Sequence, residues 1–271
     1  MNAVAGASNL RIIVNGALGR MGQEVVAAVA EAPDMTLVCG VDVRADHNET
    51  PTAVNPTGAP VQSDLGSAIE KYAPDVIVDF SVAQAASIAA QQAINSGVAV
   101  VIGTTGLEEV DLQAIRDTAE KNKIGAIVAP NFAIGAVLLI HLANMVSRYF
   151  EYADIIESHH ERKIDAPSGT AQAIAASLVK GREAPFLRTT PDKQILTGSM
   201  GANYEGIGIH ALRMQGRLAH HEIVLGTAGQ TLSLRHDTIG RECYMPGVLA
   251  AIRQVIHFDG LVVGLDKVLG L

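Results

Sequence analysis

A chain of 271 residues with 48% hydrophobic and 18% charged side chains has the make-up of a folded protein, and enough length for one large core or two modest ones. A formal charge of −8 offers no field to draw a polyanion, and 4% aromatics without a single Trp leave little to stack on bases, so nucleic acid is not an expected partner and any anionic ligand has to be held by local groups. No apolar run approaches membrane-spanning length, and the opening MNAVAGASN has neither a basic stretch nor a long apolar one, which argues against a membrane partner or a signal peptide and for a cytoplasmic protein. That opening reads as a mobile tail. Cys39 and Cys243, the two cysteines, make no disulfide framework and no cysteine-rich metal site; Cys39 lies in the apolar run MTLVCGVD as a small core residue.

In chain order, LRIIVN at 10–15 is a short apolar run. Gly16 follows, and a helical pattern over 21–32 puts Met21, Val25, Val26 and Val29 on one face before Pro33 and Asp34 stop it. A second apolar run covers 35–42, and the polar, Pro- and Gly-rich residues 44–60 predict a loop. Then come VIVDF at 76–80, a helix near 83–96, VAVVIG at 98–103, a helix near 108–122 and IGAIVAPN at 124–131. Strand and helix alternate, and the strands are apolar throughout, as expected where helices cover both faces of a parallel sheet. Residues 1–131 therefore predict an α/β domain built on a doubly wound parallel sheet.

After Asn131 the pattern changes. An apolar helix over 134–149 leads into the strand-like ADIIESHH, and a helix follows over 169–180. Runs at 207–213, 220–226 and 230–236 alternate apolar and polar residues, with a turn in GTAGQ between the last two. They predict a half-exposed, mostly antiparallel sheet in a second domain over 132–243, and a last helix over about 244–257 opens the C-terminal segment 244–271.

The first strand-to-helix turn reads NGALGRMG. Gly16, Gly19 and Gly22 sit where the backbone of a doubly wound sheet approaches a pyrophosphate and a helix start offers free N–H groups to it. The spacing is G-x-x-G-x-x-G rather than the commoner G-x-G-x-x-G, so the turn could also do no more than pack a helix on a sheet; Asp42, at the end of the second strand, is the acidic residue a dinucleotide site calls for. Asp42 favours the ribose hydroxyls of NADH, whereas Arg44 favours the 2′-phosphate of NADPH or is simply a solvated charge. The two nearly cancel, so NADH is expected to serve at least as well as NADPH. DFS at 79–81 and GTTG at 103–106 leave the same edge of the sheet, and Gly103, Thr104 and Thr105 are placed to line the nicotinamide half or to form a turn with a helix cap.

One stretch of the second domain gathers more chemistry, ESHHERKIDAPSGTA at 157–171. A metal is not expected: His159, His160 and Glu161 are consecutive, and neighbours on a strand point to opposite faces. Acid–base chemistry beside an anion site fits better. Pro167 ends the loop, Ser168 can cap the following helix, and the N–H groups of Gly169 and Thr170 then suit a carboxylate. Lys163 adds positive charge and a histidine adds a group that exchanges protons near neutral pH; the plainer reading is a capped helix behind a solvated polar loop.

This stretch resembles the signature of the 4-hydroxy-tetrahydrodipicolinate reductase family, long called dihydrodipicolinate reductase, of lysine and diaminopimelate biosynthesis. NGALGRMG is similar to its nucleotide loop, and VIVDFS, VIGTTG and APNF to its cofactor-side loops, so the resemblance spans nearly the whole chain and is looser toward the C-terminus. It implies a Rossmann domain, a smaller α+β domain for substrate and oligomerisation, last residues that return to the first domain, and a homotetramer. It implies that His159 and Lys163 carry the proton chemistry and that His160, Ser168, Gly169 and Thr170 bind the substrate's carboxylates. Cofactor contacts are implied for Gly16, Ala17, Leu18, Gly19, Arg20, Met21, Asp42, Gly103, Thr104, Thr105, Ala129, Pro130, Asn131 and Phe132.

The implied reaction begins with loss of water from a cyclic 4-hydroxy imino dicarboxylate. NADH or NADPH then reduces the conjugated double bond by hydride delivery to C4, and a proton from His159 or Lys163 completes it. Domain hinges are implied near 131–133 and near 228–238 or a little later. Glu161 and Arg162 stand where relatives carry basic residues, and Glu161 weakens the local positive field. AHHEIVLG departs from the family's Gly-Glu-His-Thr pattern, and His220 and His221 receive no role beyond that of buried or interface histidines. The competing readings are a related NAD(P)-dependent amino-acid or semialdehyde dehydrogenase, which a lysine inside the histidine motif argues against, and a non-enzymatic cofactor sensor, which intact acid–base residues argue against.

Overall fold

A computed structural model of the chain describes residues 9–45 and 58–271. The expected tail and most of the loop expected at 44–60 lie outside the described residues. The chain divides into two compact units, residues 1–132 with 244–271, and residues 133–243.

The first unit starts with β1 (Leu10–Asn15), α1 (Arg20–Glu31), β2 (Met35–Val41), β3 (Val61–Gln62) and α2 (Leu65–Tyr72). β4 (Val76–Asp79), α3 (Ala83–Asn95), β5 (Ala99–Ile102), α4 (Glu109–Asn122) and β6 (Ala126–Val128) follow. Every residue of β4, β5 and β6 is buried, which explains their unbroken apolar sequence: helices cover both faces, so no position is left for a polar side chain. α1 turns Val25, Val26 and Val29 inward, and each such buried aliphatic contributes roughly 1.5–3 kcal/mol. The sheet grows outward from β1 in both directions, with β2 on one side and β4 on the other, both parallel to it. That reversal makes the carboxyl ends of β1 and β4 the switch point where such sheets hold ligands.

The second unit contains α5 (Ile134–Ser147), β7 (Tyr152–His159), α6 (Gly169–Lys180), β8 (Ala202–Tyr204), β9 (Ile207–Arg213), β10 (Ala219–Thr227) and β11 (Gln230–Thr238). Its five-stranded sheet runs β11-β10-β7-β9-β8, antiparallel except for the β7–β9 pair. β7 alternates as its sequence predicts: Ala153, Ile155 and Glu157 point in, while Tyr152, Asp154 and Ile156 point out. Leu139 and Ala143 of α5 and Ile174 and Leu178 of α6 close the inner face. Gly229, at φ +79, supplies the left-handed position in the turn from β10 to β11. β11 stays paired through Thr238, and the second crossing comes a little later, at Cys243/Tyr244, after the ladder has ended.

The chain then returns to the first unit as a 3-10 turn (Arg241–Tyr244), α7 (Met245–Val255), β12 (Leu261–Val263) and α8 (Leu265–Leu269). β12 adds a seventh parallel strand beside β6. Five strands and α-helices lay outside the sequence reading, β3, α2, β8, β12 and α8. The eight-residue α2 follows a polar loop, and its signal is the Asp64 cap, whose carboxylate accepts from Ser67 N at 2.8 Å. β12 has only three residues, too few for any period to show.

Candidate active site

Each unit holds one group of the candidate residues. In the first, Gly16 has φ +78, and a Cβ there would lie 2.7 Å from the Phe80 carbonyl oxygen. A Cβ on Gly22 would lie 2.0 Å from the Gly16 oxygen, so the start of α1 presses directly on the loop. Gly19 is the N-cap of α1 and no side chain caps that helix, which leaves its first-turn N–H groups, at Arg20 and Met21, for a ligand. Ala17 is buried, and the Leu18 N–H is already committed to Asp42 Oδ2 at 3.1 Å.

Asp42 and Arg44, which the sequence sets against each other, are joined. Arg44 donates from Nε to Oδ1 at 2.8 Å, from Nη2 to Oδ2 at 2.9 Å and from its backbone N–H to Oδ1 at 3.1 Å. Hydrogen bonding from Arg44 holds the Asp42 carboxyl below the usual carboxylate range. Asp42 is 6% exposed and Arg44 58%, so the arginine is the partner free to swing away.

Asp79 was not singled out from the sequence. It is 1% exposed, and it accepts from Asn15 Nδ2 at 2.6 Å, Ser81 N at 3.1 Å, Ser81 Oγ at 2.9 Å and Thr104 Oγ1 at 2.7 Å. One carboxylate thus ties the ends of β1 and β4 to the loop after β5. The Thr104 hydroxyl is spent on that tie, while Thr105 is exposed. Gly103 makes room for the Phe80 ring, which would lie 2.2 Å from a Cβ. Ala129 and Phe132 are buried, Phe132 6.0 Å from Phe80 between ring centroids, and Pro130 and Asn131 reach the surface. The visible signal for Asp79 is a lone acid closing an otherwise apolar strand, VIVD.

In the second unit, strand alternation puts Glu157 and His159 on one face of β7, both buried. Glu157 is 0% exposed and its two oxygens are saturated. Oε2 meets His159 Nδ1 at 2.5 Å and accepts from Arg213 Nη1 at 2.9 Å; Oε1 accepts from Arg213 Nη2 at 2.8 Å and from Ser168 N at 3.1 Å. Burial pushes the Glu157 carboxyl up, but the hydrogen bonds from His159 and Arg213 outweigh it and hold it down to about 2. Glu157 in turn pushes the Arg213 guanidinium up.

Ser168 caps α6, its Oγ accepting from Ala171 N at 3.2 Å. The N–H groups of Gly169 and Thr170 bond to nothing among the described residues, and a Cβ on Gly169 would meet no atom within 4 Å, so this helix start is open. His160 Nδ1 is buried and has no hydrogen-bond partner among the described residues. Lys163 donates to Asp165 Oδ1 at 2.7 Å, and that bond keeps the Asp165 carboxyl below its ordinary range.

His221 belongs to this network after all. It lies opposite Glu157 across the β7–β10 ladder, 5.3 Å from His159 between ring centroids, with Nε2 3.1 Å from Ser168 Oγ. Burial, reinforced by the His159 charge, pushes it down to about 4, so it is neutral at physiological pH. His220 takes the opposite face and pairs with Asp237 at 2.6 Å. Among the described residues no group of His, Cys, Asp and Glu could hold a metal ion.

Two family models match the chain, dihydrodipicolinate reductase N-terminus over residues 10–132 and dihydrodipicolinate reductase C-terminus over residues 135–269. The chain belongs to the dihydrodipicolinate reductase family. The resemblance read from NGALGRMG and ESHHERKIDAPSGTA therefore holds in both halves. A 4-hydroxy-tetrahydrodipicolinate reductase of Dehalococcoides mccartyi is 44% identical over 265 residues, 97% of this chain and 99% of the relative. That of Moorella thermoacetica is 41% identical over 264 residues, 97% and 98% of the two chains. Among solved structures, a dipicolinate-bound dihydrodipicolinate reductase from Paenisporosarcina sp. TG-14 superposes with a TM-score of 0.86 at 38% identity, covering 95% of this chain and 98% of its own. An amine dehydrogenase from Mycobacterium smegmatis, at 14% identity and a TM-score of 0.64, shares the fold alone.

Proposed function

We propose that the protein reduces 4-hydroxy-tetrahydrodipicolinate, through its dehydrated form, to tetrahydrodipicolinate with NADH or NADPH, as part of diaminopimelate and lysine biosynthesis. The observation that carries the reading is the convergence, within one unit of a chain whose family is established, of His159, the Lys163 loop and the open start of α6. A small dicarboxylate fits that start: the free N–H groups of Gly169 and Thr170 and the unpartnered His160 Nδ1 are donors waiting for acceptors. Lys163 supplies the full positive charge.

The first unit suits a dinucleotide. Gly16 and Gly22 leave no room for a Cβ, as a loop that lets a pyrophosphate approach its backbone requires, and α1 starts without a side-chain cap. Asp42 would hold the ribose hydroxyls once Arg44 yields, and Arg44 would turn to a 2′-phosphate where one is present, so both cofactors are accepted. When bound, the cofactor supplies the hydride. The chain's residues do the rest. The N–H groups of α6 and Lys163 stabilise negative charge as it develops on the substrate. His159 delivers the proton that completes the reduction, with Lys163 as the neighbouring acid.

We place the protein in the cytoplasm as a homotetramer. The outer face of the second unit's sheet supports assembly, because Tyr152, Ile156 and Leu212 stand exposed on it. Among the described residues no helix is long and apolar enough to cross a membrane.

The test condenses pyruvate with aspartate semialdehyde enzymatically and follows loss of NADH and NADPH absorbance, with wild type and Lys163→Ala side by side. Rapid oxidation by the wild type and a loss of about 100-fold or more in the variant is expected, the scale of a missing acid catalyst. A wild type that binds cofactor yet oxidises none would sink this reading in favour of an amino-acid or semialdehyde dehydrogenase.

A further inference from the structure

The buried carboxylate of Glu157 is not itself aimed at a ligand, because all its acceptor positions are filled from within the unit. Its partners are telling. Ser168 N belongs to the cap of the open helix start, and His159 is the proton-exchanging histidine of the function proposed above, on which this inference rests. We infer that Glu157 is the positioning residue of the reaction, fixing the tautomer of His159 so that only Nε2 exchanges the proton, and locking that ring to the substrate-holding end of α6 through Ser168.

The argument is one of donors and acceptors. A carboxylate accepts only, and Glu157 is held down to about 2, so Nδ1 of His159 has to carry a hydrogen in every state of the ring. Nε2 makes no hydrogen bond among the described residues, which leaves it as the nitrogen for the substrate. Arg213 holds both oxygens of Glu157 in a two-pronged grip and anchors the loop by donating to Asp165 O at 2.8 Å, so the carboxylate cannot rotate away from the histidine. His159 also faces the ring of His221 from β10, which is neutral at physiological pH and meets Ser168 Oγ at 3.1 Å.

Glu157→Gln makes a sharp prediction. Its amide nitrogen can occupy either oxygen position. At the Oε1 position it would face two donors, Ser168 N and Arg213 Nη2. At the Oε2 position it faces only one, Arg213 Nη1, which keeps a second acceptor in Leu212 O at 2.7 Å. The amide N–H therefore turns to His159 Nδ1 and the neutral ring must move its hydrogen to Nε2.

Nitrogen-15 NMR of histidine-labelled protein reads this directly, with the His159 signals assigned by their absence in His159→Gln. In the wild type above the ring's titration, the hydrogen is expected on Nδ1; in Glu157→Gln it is expected on Nε2, with kcat down about 100-fold and KM changed less than about threefold, since Ser168 N keeps its acceptor. A wild-type ring with its hydrogen on Nε2 would overturn the inference, and that arm needs no variant to fold. So would a folded Glu157→Gln that keeps the Nδ1–H ring or retains kcat within about threefold. An inactive wild type whose ring still follows Glu157 would fault the proposed reaction and not the positioning.

Discussion

The most deeply buried carboxylate of each unit, Asp79 at 1% exposure and Glu157 at 0%, lies at the edge where a ligand is expected, and the two are held in opposite ways. Asp79 accepts only from neutral donors, an amide, two hydroxyls and a backbone N–H, drawn from the ends of β1 and β4 and the loop after β5. Glu157 accepts from a guanidinium, an imidazole and one backbone N–H. The first arrangement spreads many modest bonds over three loops and keeps an edge in shape. The second pairs a buried charge with a guanidinium and with the histidine proposed to move the proton. Burial is the same, but the consequence of losing a partner differs, because a donor lost from Asp79 leaves others while a cation lost from Glu157 leaves a buried charge without its counter-ion.

The largest expected effect follows from that difference. Arg213→Met should destabilise the second unit by about 3–5 kcal/mol, the scale for stranding one partner of a buried pair. Urea unfolding monitored by a probe in that unit would measure it. If Arg213→Met and Thr104→Val shift stability equally, the distinction between the two carboxylates fails.

Acid should separate the units next. An unfolded histidine takes up a proton near 6.5, but His221 resists until about 4 in the folded protein. Between those values the unfolded state binds more protons, so the stability due to His221 is complete above 6.5 and is lost as pH falls toward 4, by about 3 kcal/mol in all. Glu157 extends the loss: its contribution is present above 4.5 and disappears as pH falls through about 2. Thermal unfolding between pH 7 and 4 should show the decline, and His221→Gln should flatten it.

These partners also mark the limit of what the sequence carries. His159, Lys163 and Ser168 lie within ten residues, and α6 runs over Gly169–Lys180 as expected because a local cap starts it and Gly181 ends it. Arg213 and His221 reach Glu157 from 56 and 64 residues away along the chain, through the register of β9 and β10. A one-residue slip in either ladder would turn these side chains to the opposite face, so nothing short of the strand pairing could place them. The central strands of the first sheet were readable for the opposite reason: β4, β5 and β6 are buried on both faces, and a register error would have left their apolar sequence unchanged. Asp79 was legible only as an acid in an apolar strand, since its donors come from three separate loops.

Thr104→Val sharpens the neutral side of the comparison. It removes the 2.7 Å bond to Asp79 but leaves Asn15 and Ser81 in place, so a loss of about 2 kcal/mol is expected, smaller than for Arg213→Met. Weaker binding of NADH should accompany it, because the loop after β5 loses its tie to the edge. Equilibrium cofactor titration would detect this.

The smallest effect concerns a third carboxylate, Asp42, which combines both modes: it is anchored by the Leu18 and Arg44 N–H groups and paired with a mobile cation. The Arg44 side chain is exposed, and in the proposed binding mode it leaves Asp42 so that a ribose hydroxyl can donate there, which breaks an ion pair. Such a pair, open to solvent on one side, contributes about 1 kcal/mol or less. Arg44→Ala should therefore bind NADH as well as or up to about fivefold better than the wild type. It should bind NADPH about tenfold more weakly, because the 2′-phosphate loses its cation and faces Asp42 alone. Competition between the two cofactors at low and high salt would check the sign. Equal losses for both would mean that Arg44 serves the fold of the loop and not the choice of cofactor.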